Sequence, residues 1–247
     1  MIVKFKDPKY PFYAYVAYRD DLNKLYDDLE LSLLKNEVKN AKSGFYIKND
    51  ILSDVERIIK KIERITSKWD LKKVVSNWIK KTMIIHDRRV RKDNVKAYKI
   101  LKLPTNLKLK KIIKKDLEVL SEYNVGLIRT VNERLKDNIK NDIYLAIQQN
   151  KEFSIREIIK NRIGTGHRNF KLIARDQTLK FNRSLTLAKA KHAGYQEFIY
   201  RSSRDEKVRK THAILNGKRF KVDSSNAGNN ALNDINCRCS REFVLEF

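Results

Sequence analysis

Three residues near the end of the chain carry side chains suited to chemistry. His212, Cys237 and Cys239 offer one imidazole and two sulfurs, the donor types of a zinc site. Structural zinc takes four ligands and commonly uses CxxC knuckles. Here the spacing is CxC, and Asp205 or Asp234 is the candidate for a fourth position. The same imidazole with Asp205 and Asp234 is also the set from which a small metal-dependent nuclease would have to be built. A cysteine nucleophile activated by His212 is a third arrangement, without an orienting acid or oxyanion feature. The plainer alternative has both cysteines as small buried hydrophobes and His212 satisfying loop backbone groups. Two cysteines only two apart are not expected to make a standard disulfide with each other in an extended segment. A reducing assembly compartment is therefore expected. No catalytic residue and no cofactor other than the zinc candidate is expected.

The elements that must position these residues are mostly helices. Residues 21–40 place Leu22, Leu25, Leu29, Leu33 and Val38 near helical spacing, and Ser43-Gly44 breaks the pattern. Asn49 or Asp50 can cap a second helix carrying Ile51, Leu52, Val55, Ile58, Ile59, Ile62 and Ile65. A further apolar stripe with Trp69, Val74, Val75, Trp78 and Ile79 starts near Asp70, and its tryptophans should bury against neighbouring helices. His86 beside Asp87 reads as a surface or helix-end histidine, since adjacent helical residues do not face each other. After Pro104, the segment around Leu107, Ile112, Ile113, Leu117 and Leu120 is amphipathic, with a solvated lysine face. One long helix is expected over residues 123–149, on Leu127, Val131, Leu135, Ile139, Ile143 and Ile147. Ser154 and Glu157 form a capping-box pair, and Gly164-Thr165-Gly166 should stop the short helix that follows. A second helix over 169–193, with Leu172, Ile173, Leu179, Leu187 and Ala190 inward, closes at Gly194. Three strands follow: one around Phe198 and Tyr200, one around Phe220, and one ending in Phe243, Leu245 and Phe247. The fold class is α+β. A long-helix region (1–150) precedes a small domain of helices and a few short strands (151–247).

The chain has 247 residues and a formal net charge of +25. Three prolines and seven glycines suit a helix-rich protein rather than a sandwich. There is no apolar run long enough to span a membrane, so stable membrane insertion is not expected. The aromatic N-terminus lacks a hydrophobic signal core, so secretion is not expected. Such a charge points to a polyanionic neighbour, nucleic acid above all. The candidate phosphate contacts are Arg88, Arg89, Arg91 and Lys92, and then Lys108, Lys111 and Lys115. Lysine predominates, which favours neutralisation of phosphates over reading of base edges.

From Ile173 to Cys239 the chain resembles the phage head morphogenesis domain of the Mu F-like minor head protein family of tailed bacteriophages. The resemblance rests on ordered motifs. Ala174-Arg175-Asp176-Gln177-Thr178 with Asn182 stands for the helix motif, and Gly194 closes that helix. Tyr200 takes the aromatic position of the strand. Asp205, Val208, Arg209, His212 and Gly217 follow at the family's spacing, and Asn236-Cys237-Arg238-Cys239 ends the match. Gln177 replaces the usual glutamate, Lys210 replaces a common proline, and the proline lead before Asn236 is missing. The resemblance implies a minor capsid protein that is not an enzyme. It implies a place at the portal or inner capsid of the virion, and the host cytoplasm during assembly. Its partners would be the portal protein or major capsid protein and packaged double-stranded DNA, with several copies per particle. A nuclease using His212 with Asp205 and Asp234, or a plain DNA-binding accessory protein, is the alternative. On the first reading the motif residues are structural: Asp205 and Arg209 would fix a turn by an ion pair, His212 would tie it to the cysteine loop, and Gly217 would turn the chain into the next strand.

Overall fold

The computed structural model describes residues 2–8, 10–37, 48–149 and 153–246. Val38, the Ser43-Gly44 break and Phe247 lie outside them, as do the side chains of Asn49, Asp50, Ile51, Leu52 and Leu107. The chain runs β1 (Ile2–Lys6), α1 (Phe12–Glu37), α2 (Lys48–Thr66), α3 (Leu71–Asp93), α4 (Val95–Leu101), α5 (Asn106–Ile112) and α6 (Lys114–Gln148). It continues through α7 (Ile155–His192), β2 (Glu197–Arg201), α8 (Lys210–Ala213), β3 (Arg219–Lys221), α9 (Ala227–Asn233) and β4 (Ser240–Glu246). This is the expected α+β class, predominantly helical with a few short antiparallel strands near the C-terminus. Among the described residues, no helix is long and apolar enough to cross a membrane.

Contacts divide the chain into two compact units. One comprises Tyr18–Val75 and Glu122–Ile173, the other Met1–Ala17, Ser76–Ser121 and Ala174–Phe247. The first unit is helical and is built on steps of three and four residues. Tyr18, Leu22, Tyr26, Leu29 and Leu33 of α1 are buried, with Val55, Ile58 and Ile62 of α2. In α6 the inward face is Val125, Ile128, Val131, Leu135, Ile139 and Ile143. Leu127 and Ile147, expected inside, are only half-buried. At 35 residues α6 is about 52 Å long at 1.5 Å per residue. α2 already begins at Lys48, so Asn49 and Asp50 lie inside it rather than capping it.

Gly164-Thr165-Gly166 does not stop a helix. α7 runs unbroken through it for 38 residues. Its start agrees with the capping pair, since the Glu157 N–H donates to Ser154 Oγ at 3.3 Å. The reason for glycine at 166 is packing. A Cβ there would lie 1.9 Å from Cε2 of Tyr26. The Tyr26 ring is fully buried and meets Phe170 edge-on at 4.5 Å, so it has no room to retreat.

The second unit holds one antiparallel sheet in the order β1-β4-β2-β3. Its register sets a row of phenylalanines across all four strands. Phe5 pairs with Phe243, Phe243 with Phe198, and Phe198 with Phe220. The ring centroids along the row are 5.8, 6.0 and 5.8 Å apart. Cross-strand aromatic pairs of this kind contribute roughly 0.2–1 kcal/mol each. A slip of one residue would turn a strand's phenylalanine to the other face, so the row also fixes the register. β1 was not expected as a strand, although Ile2–Lys6 alternates exposed and buried residues along its length. Leu172, expected inward on α7, is exposed, and Ala174, Phe181 and Leu185 are buried on that helix instead.

Replacing Gly166 by Ala should lower stability by about 1–3 kcal/mol through overpacking against Tyr26. Gly126→Ala is the control: nothing lies within 4 Å of a Cβ at that helical position. It should raise stability by about 0.5–1 kcal/mol. Urea unfolding of both variants checks the pair, and equal shifts would contradict the packing account.

Candidate functional site

α7 turns an unusual polar stripe inward. Asp176, Gln177, Thr178, Asn182, Arg183, Thr186 and Lys189 are all buried. A buried polar group costs free energy unless it is bonded, so each needs a partner. Thr178 Oγ1 accepts the indole N–H of Trp78 at 2.9 Å. Asn182 Oδ1 lies 2.9 Å from His86 Nδ1. Lys189 Nζ donates to Asp87 Oδ1 at 2.6 Å, from a side chain with no exposed surface. Asp176 Oδ1 accepts the backbone N–H of Asn236 at 2.9 Å. Arg175, the remaining helix-motif residue, is half-buried.

Arg183 organises the cysteine loop. Its Nη1 donates to the Leu232 carbonyl at 2.8 Å and its Nη2 to that of Cys237 at 2.9 Å. Nη2 also donates to the Cys239 carbonyl. One guanidinium thus gathers the end of α9 and both cysteines onto α7, using the planar fork that lysine lacks.

The loop itself is irregular. Asn236 adopts a left-handed φ of 57°, and the Cys237 N–H turns back to the Asp234 carbonyl at 3.1 Å. The cysteine segment is therefore not extended, contrary to expectation. Both buried sulfurs approach one atom: His212 Nδ1 is 3.6 Å from Cys237 Sγ and 3.8 Å from Cys239 Sγ. The other imidazole nitrogen, Nε2, is 2.9 Å from Asp234 Oδ2. Tyr200 meets the His212 ring edge-on at 6.4 Å. Burial and the adjacent thiols push the Tyr200 hydroxyl up from its ordinary ionisation range. Cys239 is pushed down, first by the hydrogen bond from the Cys237 thiol, against the opposing effect of burial.

The expected Asp205–Arg209 ion pair does not form. Asp205 Oδ1 accepts from Arg238 Nη2 at 2.6 Å and from its own turn, the Lys207 N–H, at 3.0 Å. Arg209 precedes α8 and reaches the other way, donating to the Ile235 carbonyl at 2.9 Å with Asp234 Oδ2 at 3.7 Å. Because Asp205 is turned to Arg238, the two carboxylates of the nuclease alternative do not meet at His212, and the group assembled there is His212, Cys237 and Cys239. Gly217 stands at φ 82°, and its N–H bonds to the Tyr200 carbonyl at 2.8 Å.

His86 is fully buried rather than at the surface or a helix end. It lies on the inward stripe of α3, four residues after Thr82 and four before Val90, and that spacing is the signal that places it. Burial first, with the Lys189 charge adding to it, lowers its pKa to about 3, against the opposing effect of the Asn182 bond. Arg183 had a similar signal: it is seven residues after Asp176 and seven before Ala190, both buried. Of the candidate phosphate contacts, Arg88, Lys92, Lys108, Lys111 and Lys115 are exposed. Arg91 is exposed but pairs with Asp87 at 2.9 Å, and half-buried Arg89 donates to the Tyr10 carbonyl at 2.7 Å.

Sheet, polar helix and pinned cysteine loop define a small α+β structural domain. Comparison with known proteins finds a similar family. Residues 130–242 match the model of the family described as "Phage Mu protein F like protein". The match contains the whole ordered set of motifs from Ile173 to Cys239, and it begins inside α6. A protein of Haemophilus influenzae, described as "Uncharacterized protein", is 30% identical over 142 residues. The aligned part is 54% of this chain and 30% of that protein, so the chain spans under a third of the relative's length. No solved structure matches.

Arg183→Met should cost about 3 kcal/mol or more, since it strands several buried carbonyls at roughly 1–3 kcal/mol each. Thermal unfolding beside Arg88→Met checks this, and equal losses would contradict the pinning role. His86 gives a pH dependence. Between its ordinary 6.5 and the folded value of about 3, the unfolded chain holds a proton that the folded chain lacks. Stability therefore falls as pH falls through that window. His86→Gln should flatten that limb by up to about 1.4 kcal/mol per pH unit, as read from urea midpoints at stepped pH.

Proposed function

We propose that this chain is a minor capsid, head-morphogenesis protein of a tailed bacteriophage. The observation that carries the reading is the family match over residues 130–242, supported by the ordered motifs inside it. In this reading Arg175, Thr178, Asn182, Asp205, Arg209, His212, Gly217, Asn236, Cys237, Arg238 and Cys239 maintain a fold and do not turn over a substrate. The long helices before residue 150 supply contacts to the portal or major capsid protein, and residues 151–247 form the head-protein domain. The protein sits at the portal or on the inner capsid, in several copies, and is made in the host cytoplasm during assembly.

Its charge of +25 supports contact with packaged double-stranded DNA. Exposed Arg88, Lys92, Lys108, Lys111 and Lys115 are the residues proposed to neutralise phosphates. Lysine ammonium groups act there as point charges, so binding would be insensitive to base sequence.

Composition of purified particles tests the assembly role. The protein should be present in procapsids and in DNA-filled heads, and absence from both would sink the reading. Affinity for DNA of mixed sequence tests the charge: it should fall steeply with salt, with log K linear in log salt concentration. Replacing Lys108, Lys111 and Lys115 together by Gln should reduce that slope by roughly 2–3. A response flat in salt would remove DNA contact from the function while leaving the assembly role standing.

A further inference from the structure

We propose that His212 Nδ1, Cys237 Sγ and Cys239 Sγ hold one soft divalent cation of the zinc class, which fastens the cysteine loop. This site is independent of the head-morphogenesis reading. Its three donor atoms lie within 4.8 Å of one another and all three residues are buried. A tetrahedral ion with bonds of about 2.3 Å to sulfur and about 2.0 Å to nitrogen sets its sulfur and nitrogen ligands about 3.5 Å apart. The distances from Nδ1 to the two sulfurs are 3.6 and 3.8 Å. Little movement is needed to place an ion among them.

The imidazole is oriented for the task. Asp234 Oδ2 lies 2.9 Å from Nε2, so that nitrogen carries the proton and donates it to the carboxylate. Nδ1 is then left with its lone pair facing the sulfurs. A carboxylate behind a ligand histidine is the arrangement that fixes tautomer and ring orientation in metal sites. A second observation points the same way. The Tyr200 hydroxyl is fully buried beside the two thiols and has no nitrogen or oxygen partner. It is the neighbouring protein group able to complete the coordination or to bond a water that does.

Charge is balanced. Two thiolates offset a dication, and the two protons released on binding go to solvent. The Arg183 guanidinium lies 3.9 Å from Cys237 Sγ, where it favours the thiolate form. Softness of the donors selects zinc over magnesium or calcium, which prefer oxygen.

The test uses the full chain, purified without chelator and also reconstituted with zinc. Elemental analysis should find about one zinc per chain, and Cys237→Ser and Cys239→Ser should each lose it. Cobalt should substitute and give sulfur-to-cobalt charge-transfer absorption. If the cysteine variants fail to fold, Asp234→Asn keeps the measurement informative, because Asp234 is half exposed, with 50% of its side chain accessible. That variant should fold and bind zinc about 10–100-fold more weakly in competition with a chelator. A folded wild-type chain that takes up no zinc on reconstitution and shows no cobalt–thiolate absorption would overturn the site. So would an Asp234→Asn variant with unchanged zinc affinity.

Discussion

The closing loop of the chain depends on one buried cation. Arg183 is 4% exposed, and its hydrogen bonds run to the carbonyls of Leu232, Cys237 and Cys239 rather than to a carboxylate. Such an arrangement holds only because several dipoles converge on the charge and because Asp7, at the end of β1, lies in its field. The consequence is geometric. An irregular segment has no ladder to fix it, so its carbonyls need donors from elsewhere. With those carbonyls gathered on α7, both sulfurs come within 3.8 Å of His212 Nδ1. Asp176 adds a second tie through the Asn236 N–H. The loop conformation is thus imposed by the helix, and the His212 cluster follows from it.

This ordering explains what could be read in the sequence and what could not. Helices with a strong step of three and four, such as α2 and α6, were legible because their burial is a local pattern. The strands at Phe198, Phe220 and Phe243 were legible for the same reason, with period two. β1 has that alternation in Val3 and Phe5, but its partner β4 lies at the other end of the chain. Pairing over such a distance leaves no local mark, and the aromatic residues that follow obscured the strand. Gly164-Thr165-Gly166 misled in the opposite direction. Glycine weakens a helix by about 1 kcal/mol and reads as a stop, yet at 166 it answers to the Tyr26 ring, which no local rule can anticipate. Within the site, His212, Cys237 and Cys239 were singled out by residue type. Their convergence was not legible, since it depends on the left-handed Asn236 and on Arg183.

The polar stripe of α7 shows what such pins do for a small domain. An apolar interior tolerates many packings of similar energy, whereas buried bonds such as Trp78 to Thr178, His86 to Asn182 and Lys189 to Asp87 each admit one partner. The net contribution of each bond is modest, about 1 kcal/mol. The loss on mispairing is larger, because the abandoned group stays buried. Specificity of this kind holds α3 residues 76–93 and α7 residues 174–192 in a single register.

The same economy of partners bears on the charge. The acidic residues within the second unit are largely engaged inside it: Asp87 with Lys189 and Arg91, Asp176 with Lys180, Asp205 with Arg238, and Glu242 with Lys4, Lys6 and Arg201. Carboxylates used in this way cannot also quench the exposed lysines of α5 and the start of α6. A surface of one sign repels itself and weakens the compact state. Any polyanion that binds the folded chain relieves that repulsion and adds its own binding free energy to stability by mass action.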